Sequence, residues 1–482
     1  MDDSLARSGA RGGATTVLAQ LVVMLVKAAT IVVLARIITP TEFGIAAVAT
    51  SIATFFTSIV LVGLGMAAVQ ARTLSQNAKS ALFYINTAVG AAAGFLLVLL
   101  AAPVSQLYGH DELADLLPWL GLAPLFTGLL SQPRVHLVRD LRFSLLATTD
   151  VVSSVLAFVA TVAVAVAGFG VVALVVQFIL QPALQFLMVA SVARWTPSSV
   201  RGVKSEVKGL LLIGLDIFGM NVAANLTRSA LVPIVGLSVA PGPLGQFDRA
   251  QQVTNLPVSL TVDQLQRVAV PVLSRLRSQP QRFAAYLERS QIVVSYLVAA
   301  GFGWLAALAS PLTLLVLGPG WTLTASVLQF LALSAVFRTL VQTARWTYIA
   351  SGRTRAGLIV NAWSQPLVFA LSCVGMPWGV IGVSIAHAAA WFLVWPVVAA
   401  MSAHSAGVKA GPIVGATLRA LVLGSAMAGA ALAATFIDFA APIQVFVGTL
   451  FAGGVVGILS VTSQRIRLDL IAILDTVGRM RT

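Results

Sequence analysis

In this chain of 482 residues, 58% are hydrophobic and only 10% charged. Soluble domains carry about 25% charged residues, so that class is excluded. The net charge of +14 would suit a nucleic-acid binder, but its distribution, set out below, argues for a different origin and no nucleic-acid partner is expected.

The first apolar run, residues 14–36, follows Arg7 and Arg11. It exceeds the h-region of a cleavable signal and is interrupted by Lys27, so it is expected to be a first span. Further runs follow at 42–70, 80–103, 115–137, 146–167, 169–193, 209–237, 251–273, 290–316, 322–347, 356–376, 378–402, 412–436 and 441–462. Each is long enough to cross a bilayer as a helix. The expected fold class is therefore all-α, a polytopic membrane protein of about 14 transmembrane helices. The single cysteine, Cys373, lies inside a span and excludes an internal disulfide.

Alternate loops are basic. One side holds Arg72 and Lys79; Arg134, Arg139 and Arg142; Arg194, Arg201, Lys204 and Lys208; Arg275, Arg277, Arg282 and Arg289; Arg353 and Arg355; Lys409; and Arg465, Arg467, Arg479 and Arg481. The other side holds little beyond Arg36 and Arg249, and its loop near 105–115 is acidic (Asp111, Glu112, Asp115). This positive-inside asymmetry places both termini in the cytoplasm and the chain in the cytoplasmic membrane, where basic loops favour anionic lipid headgroups.

An internal repeat organises the chain. Gln20, Lys27, Pro40 and Gly44 reappear 201 positions later as Asn221, Arg228, Pro241 and Gly245. An echo links Ala167-Gly168-Phe169-Gly170-Val171 with Met376-Pro377-Trp378-Gly379-Val380. Six spans per copy make the repeats parallel. The layout expected is an N-lobe at 1–200 (spans 1–6), a C-lobe at 201–405 (spans 7–12), and two additional spans with a cytoplasmic tail at 406–482.

Polar residues inside spans mark candidate sites, because a charge in hydrocarbon is costly. Gln20 and Lys27 are seven apart and share a helical face. Asn221, Asn225 and Arg228 share another, as do Arg338, Gln342 and Arg345. Lys27, Arg228 and Arg338 are candidate ligands for a phosphate-bearing cargo, since guanidinium and ammonium groups both bind phosphate. Gln20, Asn221, Asn225 and Gln342 are candidate cavity-lining polar residues. Asp263 and Arg267 form an i, i+4 pair; the alternative is that Asp263 takes up a coupling ion, H+ or Na+. Asp216 and Asp150 are other carboxylate candidates. Arg419 is expected to snorkel toward the basic side. Pro40 and Pro241 are expected to follow spans, and Pro257 and Pro271 to kink span 8. The four histidines show no metal-ligand spacing, no phosphate-loop motif is present, and the longest connections run to about 15 residues. No metal, cofactor or catalytic residue is expected, and the chain is not expected to be an enzyme.

The segment Leu34-Ala35-Arg36-Ile37-Ile38-Thr39-Pro40-Thr41-Glu42-Phe43-Gly44 resembles the first-loop signature of Wzx-type polysaccharide flippases. These belong to the multidrug/oligosaccharidyl-lipid/polysaccharide exporter superfamily. Pro243-Leu244-Gly245-Gln246-Phe247-Asp248-Arg249-Ala250, with Asn255-Leu256-Pro257-Val258 and Pro271-Val272-Leu273-Ser274-Arg275-Leu276, resembles the second-lobe signature of the lipopolysaccharide and colanic-acid branch. The family usually has Tyr near Phe247. The resemblance implies two six-helix lobes around a cavity opening to alternate sides. It implies a cargo of undecaprenyl-pyrophosphate-linked oligosaccharide and work beside the polysaccharide polymerase machinery. It also implies that cationic cavity residues hold the pyrophosphate, by position Lys27, Arg228 and Arg338.

Two relatives of that fold are alternatives. A drug or cation antiporter needs unpaired cavity carboxylates, where this chain offers Lys and Arg. A flippase of lipid-linked peptidoglycan precursor fits the motifs less well. A membrane-embedded glycan polymerase or ligase would need a sizeable extracytoplasmic loop, and none is present.

Overall fold

The computed structural model describes residues 3–61, 65, 68, 69, 71, 74–200, 203, 206–211, 227 and 229–479, without the side chains of 3–14, 61, 260–264, 267, 354 and 474–479. The described residues form helices and turns, with no strand among them. The cause is the apolar composition. In hydrocarbon a helix satisfies its own backbone N–H and C=O groups, which an open strand cannot do.

In the first part of the chain, α1 is Asp3–Ala35, α2 Pro40–Leu61, α3 Gln76–Tyr108, α4 Glu112–Leu120, α5 Leu122–Arg139, α6 Phe143–Val166 and α7 Gly170–Ala193. Then come α8 Pro241–Arg275, α9 Pro280–Ala307, α10 Ala309–Val316, α11 Thr322–Ala350, α12 Thr354–Val374 and α13 Gly379–Ala406. Last are α14 Ala410–Ala433, α15 Ala441–Thr462 and α16 Gln464–Arg479. Among the described residues, 12 helical stretches are long and apolar enough to cross a membrane. They match the expected spans 1–6 and 9–14. The seventh falls largely outside the described residues, and the eighth lies in α8, a 35-residue helix that is not one of the twelve.

Pro40 and Pro241 open helices rather than merely following them. At Pro40 the reason is a capping box. The Glu42 carboxylate accepts the Thr39 backbone N–H at 2.9 Å, and Thr39 Oγ1 accepts the Glu42 N–H at 3.3 Å. Proline suits the first helical position, where its missing N–H would have no partner. α8 continues through both Pro257 and Pro271.

The chain divides into two compact units, Met1–Gly245 and Gln246–Thr482. In the first, α3 packs on α5, α5 on α7, and α6 on α7 and α1. In the second, α9 packs on α11, α11 on α13, and α12 on α13. The order of neighbours is the same. An amide–hydroxyl bond joins the first pair in each unit: Asn86 Nδ2 donates to Ser131 Oγ (3.0 Å), and Thr343 Oγ1 donates to Gln291 Oε1 (3.0 Å).

Positive φ repeats as well. It occurs, among the described residues, at Gly109, Leu141, Gly168 and Arg194, then at Gly318, Gly352, Gly379 and Gly407; at Gly318 and Gly379 it is combined with an extended ψ. They pair in order, 209, 211, 211 and 213 positions apart, in or beside the turns that separate helices. At the third pair the sequence echo sets Gly170 against Gly379. Gly170 and Gly379 each open the following helix, while the positive φ of the first copy lies two residues earlier, at Gly168.

α14 seats on α9 through close backbone approach of Gly303 and Gly424 and a Ser295–Thr417 hydroxyl bond of 3.1 Å. α15 packs on α14, and α16 follows as a shorter helix against α15 and α9.

Candidate functional site: charged side chains within the spans

On α1, Val23, Thr30, Ile31 and Leu34 are buried, while Gln20 and Lys27 are exposed together on one side. The seven-residue spacing thus yields one polar edge on an otherwise apolar helix. Asn221, Asn225 and Arg228, with Asp216, lie outside the described residues. So do the side chains of Asp263 and Arg267.

Arg338 on α11 is half-buried, and its Nη2 donates to Asn255 Oδ1 of α8 at 2.8 Å. Gln342 is one turn further along, with Oε1 buried and without a hydrogen-bond partner among the described residues. Arg345, also half-buried, continues the same edge. The structure therefore joins Arg338 to Asn255, a pairing across two helices that spacing alone does not specify.

Three further polar clusters emerge from the packing. The first corrects the reading of Arg134 as a loop cation and gives Asp150, one of the carboxylate candidates, a partner. Arg134 lies within α5 and grips Asp150 of α6 with two parallel bonds of 2.8 Å. Gln185 Nε2 of α7 donates to the same carboxylate at 3.1 Å. The signal available in the sequence was Asp150 itself, an acid seven residues into a span and in need of a counter-charge.

The second gives Arg419, expected to reach toward the basic side, a fixed partner. Its Nε and Nη2 donate to Asp469 of α16 at 2.8 and 3.2 Å, and the Tyr296 hydroxyl of α9 donates to the same carboxylate at 2.8 Å. The third surrounds His387. The Trp391 Nε1–H donates to His387 Nε2 at 3.1 Å, so in the neutral ring Nδ1 carries the proton and donates to Ser372 Oγ at 2.9 Å. Ser372 in turn donates to the Val368 carbonyl at 2.6 Å. Each donor has one acceptor, which marks a satisfied structural relay.

In α8, outside the twelve spans, Asp248 accepts from Arg249 at 3.1 Å and from Gln252 at 2.9 Å. Burial pushes the Asp248 carboxyl up and the Arg249 guanidinium down, and their mutual attraction opposes both shifts.

Comparison with known proteins agrees with this architecture. Residues 33–326 match the family model described as polysaccharide biosynthesis protein. The succinoglycan biosynthesis transport protein ExoT of Rhizobium meliloti (strain 1021) is 26% identical over 370 residues, covering 76% of this chain and 74% of that protein. The lipopolysaccharide biosynthesis protein WzxC of Escherichia coli (strain K12) is 21% identical over 397 residues, covering 81% and 78%. Among solved structures, the lipid II flippase MurJ in an inward closed conformation superposes with a TM-score of 0.76 at 16% identity, over 92% of this chain and 98% of that one. At that identity the likeness speaks for the fold alone. With the first-loop signature in α1–α2, the second in α8 and the duplicated helical packing, these matches place the chain in the polysaccharide biosynthesis protein family, as a Wzx-type member of the multidrug/oligosaccharidyl-lipid/polysaccharide superfamily.

Proposed function

We propose that this protein moves undecaprenyl-pyrophosphate-linked oligosaccharide from the cytoplasmic to the outer leaflet by alternating access. The observation that carries the reading is Lys27: an exposed ammonium, with Gln20 beside it, on an apolar spanning helix. A cation kept there against the cost of hydrocarbon needs an anionic partner or water, and a pyrophosphate headgroup supplies the anion. In this reading Lys27, Arg228 and Arg338 bind the pyrophosphate, and Gln20, Asn221, Asn225 and Gln342 line its path. Asp263 is the candidate for the coupling ion, H+ or Na+. The relatives' names, succinoglycan and lipopolysaccharide biosynthesis, support a saccharide cargo. Both termini in the cytoplasm and a polymerase acting on the exported unit complete the proposal.

The test is the lipid fraction of cells depleted of this protein and lacking a redundant flippase. Polyprenyl-pyrophosphate oligosaccharide should accumulate, clear on return of the wild type, and persist with an expressed Lys27→Ala/Arg228→Ala protein. Absence of accumulation would sink the flippase reading. Equal clearance by both proteins would remove Lys27 and Arg228 from it.

A further inference from the structure

The Arg134–Asp150 pair is the best-formed ion pair described inside the spans, yet it is not sealed. The Arg134 side chain is 39% exposed and that of Asp150 24%. Charged residues within spanning helices face the bundle interior or a water-filled cavity rather than lipid. Asp150 lies seven residues after α6 begins and Arg134 five before α5 ends. At about 1.5 Å per residue the pair sits roughly 10 Å from the helix ends that carry Arg139 and Arg142.

The internal repeat offers a control on what the fold needs. The turn between α5 and α6 and the turn between α11 and α12 correspond at a spacing of 211, through Leu141 and Gly352. At that spacing Arg134 corresponds to Arg345, and Asp150 to Asn361. The later copy keeps the arginine on its helix and places an amide where the first has a carboxylate. The carboxylate is therefore not a requirement of the helical packing.

We propose that Arg134 is a further anion-binding residue for the pyrophosphate headgroup, and that Asp150 is a built-in competitor for it. The inference rests on the reading of the cargo as a diphosphate-linked lipid. A carboxylate and a phosphoryl group present the same pair of oxygens to a guanidinium edge, so they exclude one another there. When phosphate displaces Asp150, the carboxylate keeps its bond from Gln185. When Asp150 closes again, it takes back both N–H groups and helps expel the headgroup. The competitor weakens binding by the fraction of time the guanidinium is open, which favours turnover over retention.

The experiment measures binding of inorganic pyrophosphate and of geranylgeranyl pyrophosphate to the full-length protein in lipid nanodiscs. Asp150→Asn installs the amide of the later copy. If the pair opens about a tenth of the time, this variant binds about tenfold tighter than wild type. Arg134→Gln/Asp150→Asn loses that gain. Asp150→Ser serves as a second removal of the carboxylate should the amide variant misfold. Affinity unchanged or lowered in folded Asp150 variants overturns the proposal, as does a gain that survives loss of Arg134. The failures are separable: a protein that passes this test but does not clear lipid-linked oligosaccharide keeps its anion site and loses the flippase reading, and the reverse result removes only the competitor.

Discussion

Gly44 lies against the backbone of Pro241, so closely that a Cβ at Gly44 would collide with the Pro241 carbonyl group. Gly245 stands in the same relation to the Pro40 carbonyl. The two copies of the repeated proline–glycine pattern thus meet each other, helix start against helix start. Backbone cannot rotate away as a side chain can. Gly44→Ala and Gly245→Ala should each destabilise by about 1–3 kcal/mol. Thermal unfolding in detergent checks this against Gly453→Ala, a helical position with open space around it, which should be neutral or slightly stabilising.

The paired left-handed turns predict stabilising changes. Leu141 (φ 56) and Arg194 (φ 48) stand where the later copy has Gly352 and Gly407. A non-glycine residue in that region costs roughly 1–2 kcal/mol, offset in part by the greater freedom of glycine in the unfolded chain. Leu141→Gly and Arg194→Gly should raise the melting temperature, and Gly407→Arg should lower it.

Asp469 neutralises Arg419 from a different helix. Asp469→Ala should cost about 1.5–3 kcal/mol, as for a hydrogen bond to a charged group, and should weaken the docking of α16. Arg419→Met/Asp469→Leu should recover most of the loss, because no uncompensated charge remains. Backbone hydrogen exchange across 464–473 reads the docking directly. Unchanged protection in Asp469→Ala would refute the role of the pair.

Arg338 combines charge with a directed bond to Asn255. Arg338→Lys preserves the charge and loses the guanidinium geometry. Clearance of lipid-linked oligosaccharide should fall by about tenfold in Arg338→Ala, the loss of one charge-assisted contact. It should fall less in Arg338→Lys. Equal activity of both variants and wild type would remove Arg338 from the transport path.

Twelve of the fourteen expected spans are readable because long apolar runs leave a helix as the only backbone solution, and the polar edge of Gln20 and Lys27 follows from helical spacing. The ion pairs are not. Arg134 and Asp150 are separated by a turn, and Arg419 and Asp469 by a whole span, so their meeting depends on which helix faces touch. The duplicated turns were hidden for another reason. Leu141 and Arg194 occupy glycine positions, so the first copy lacks the residue that signals a left-handed turn. Arg134 misled because positive charges near span ends ordinarily sit in loops.

The separation between corresponding positions grows from 201 at Pro40 and Pro241 to 213 at Arg194 and Gly407. Extra length has thus been absorbed while the helices kept the same neighbours. Turns that tolerate such growth are the natural place for added sequence. At the Gly109 and Gly407 connections nothing crowds either glycine, so a fluorophore or affinity tag introduced there is expected to leave the flanking helices in place.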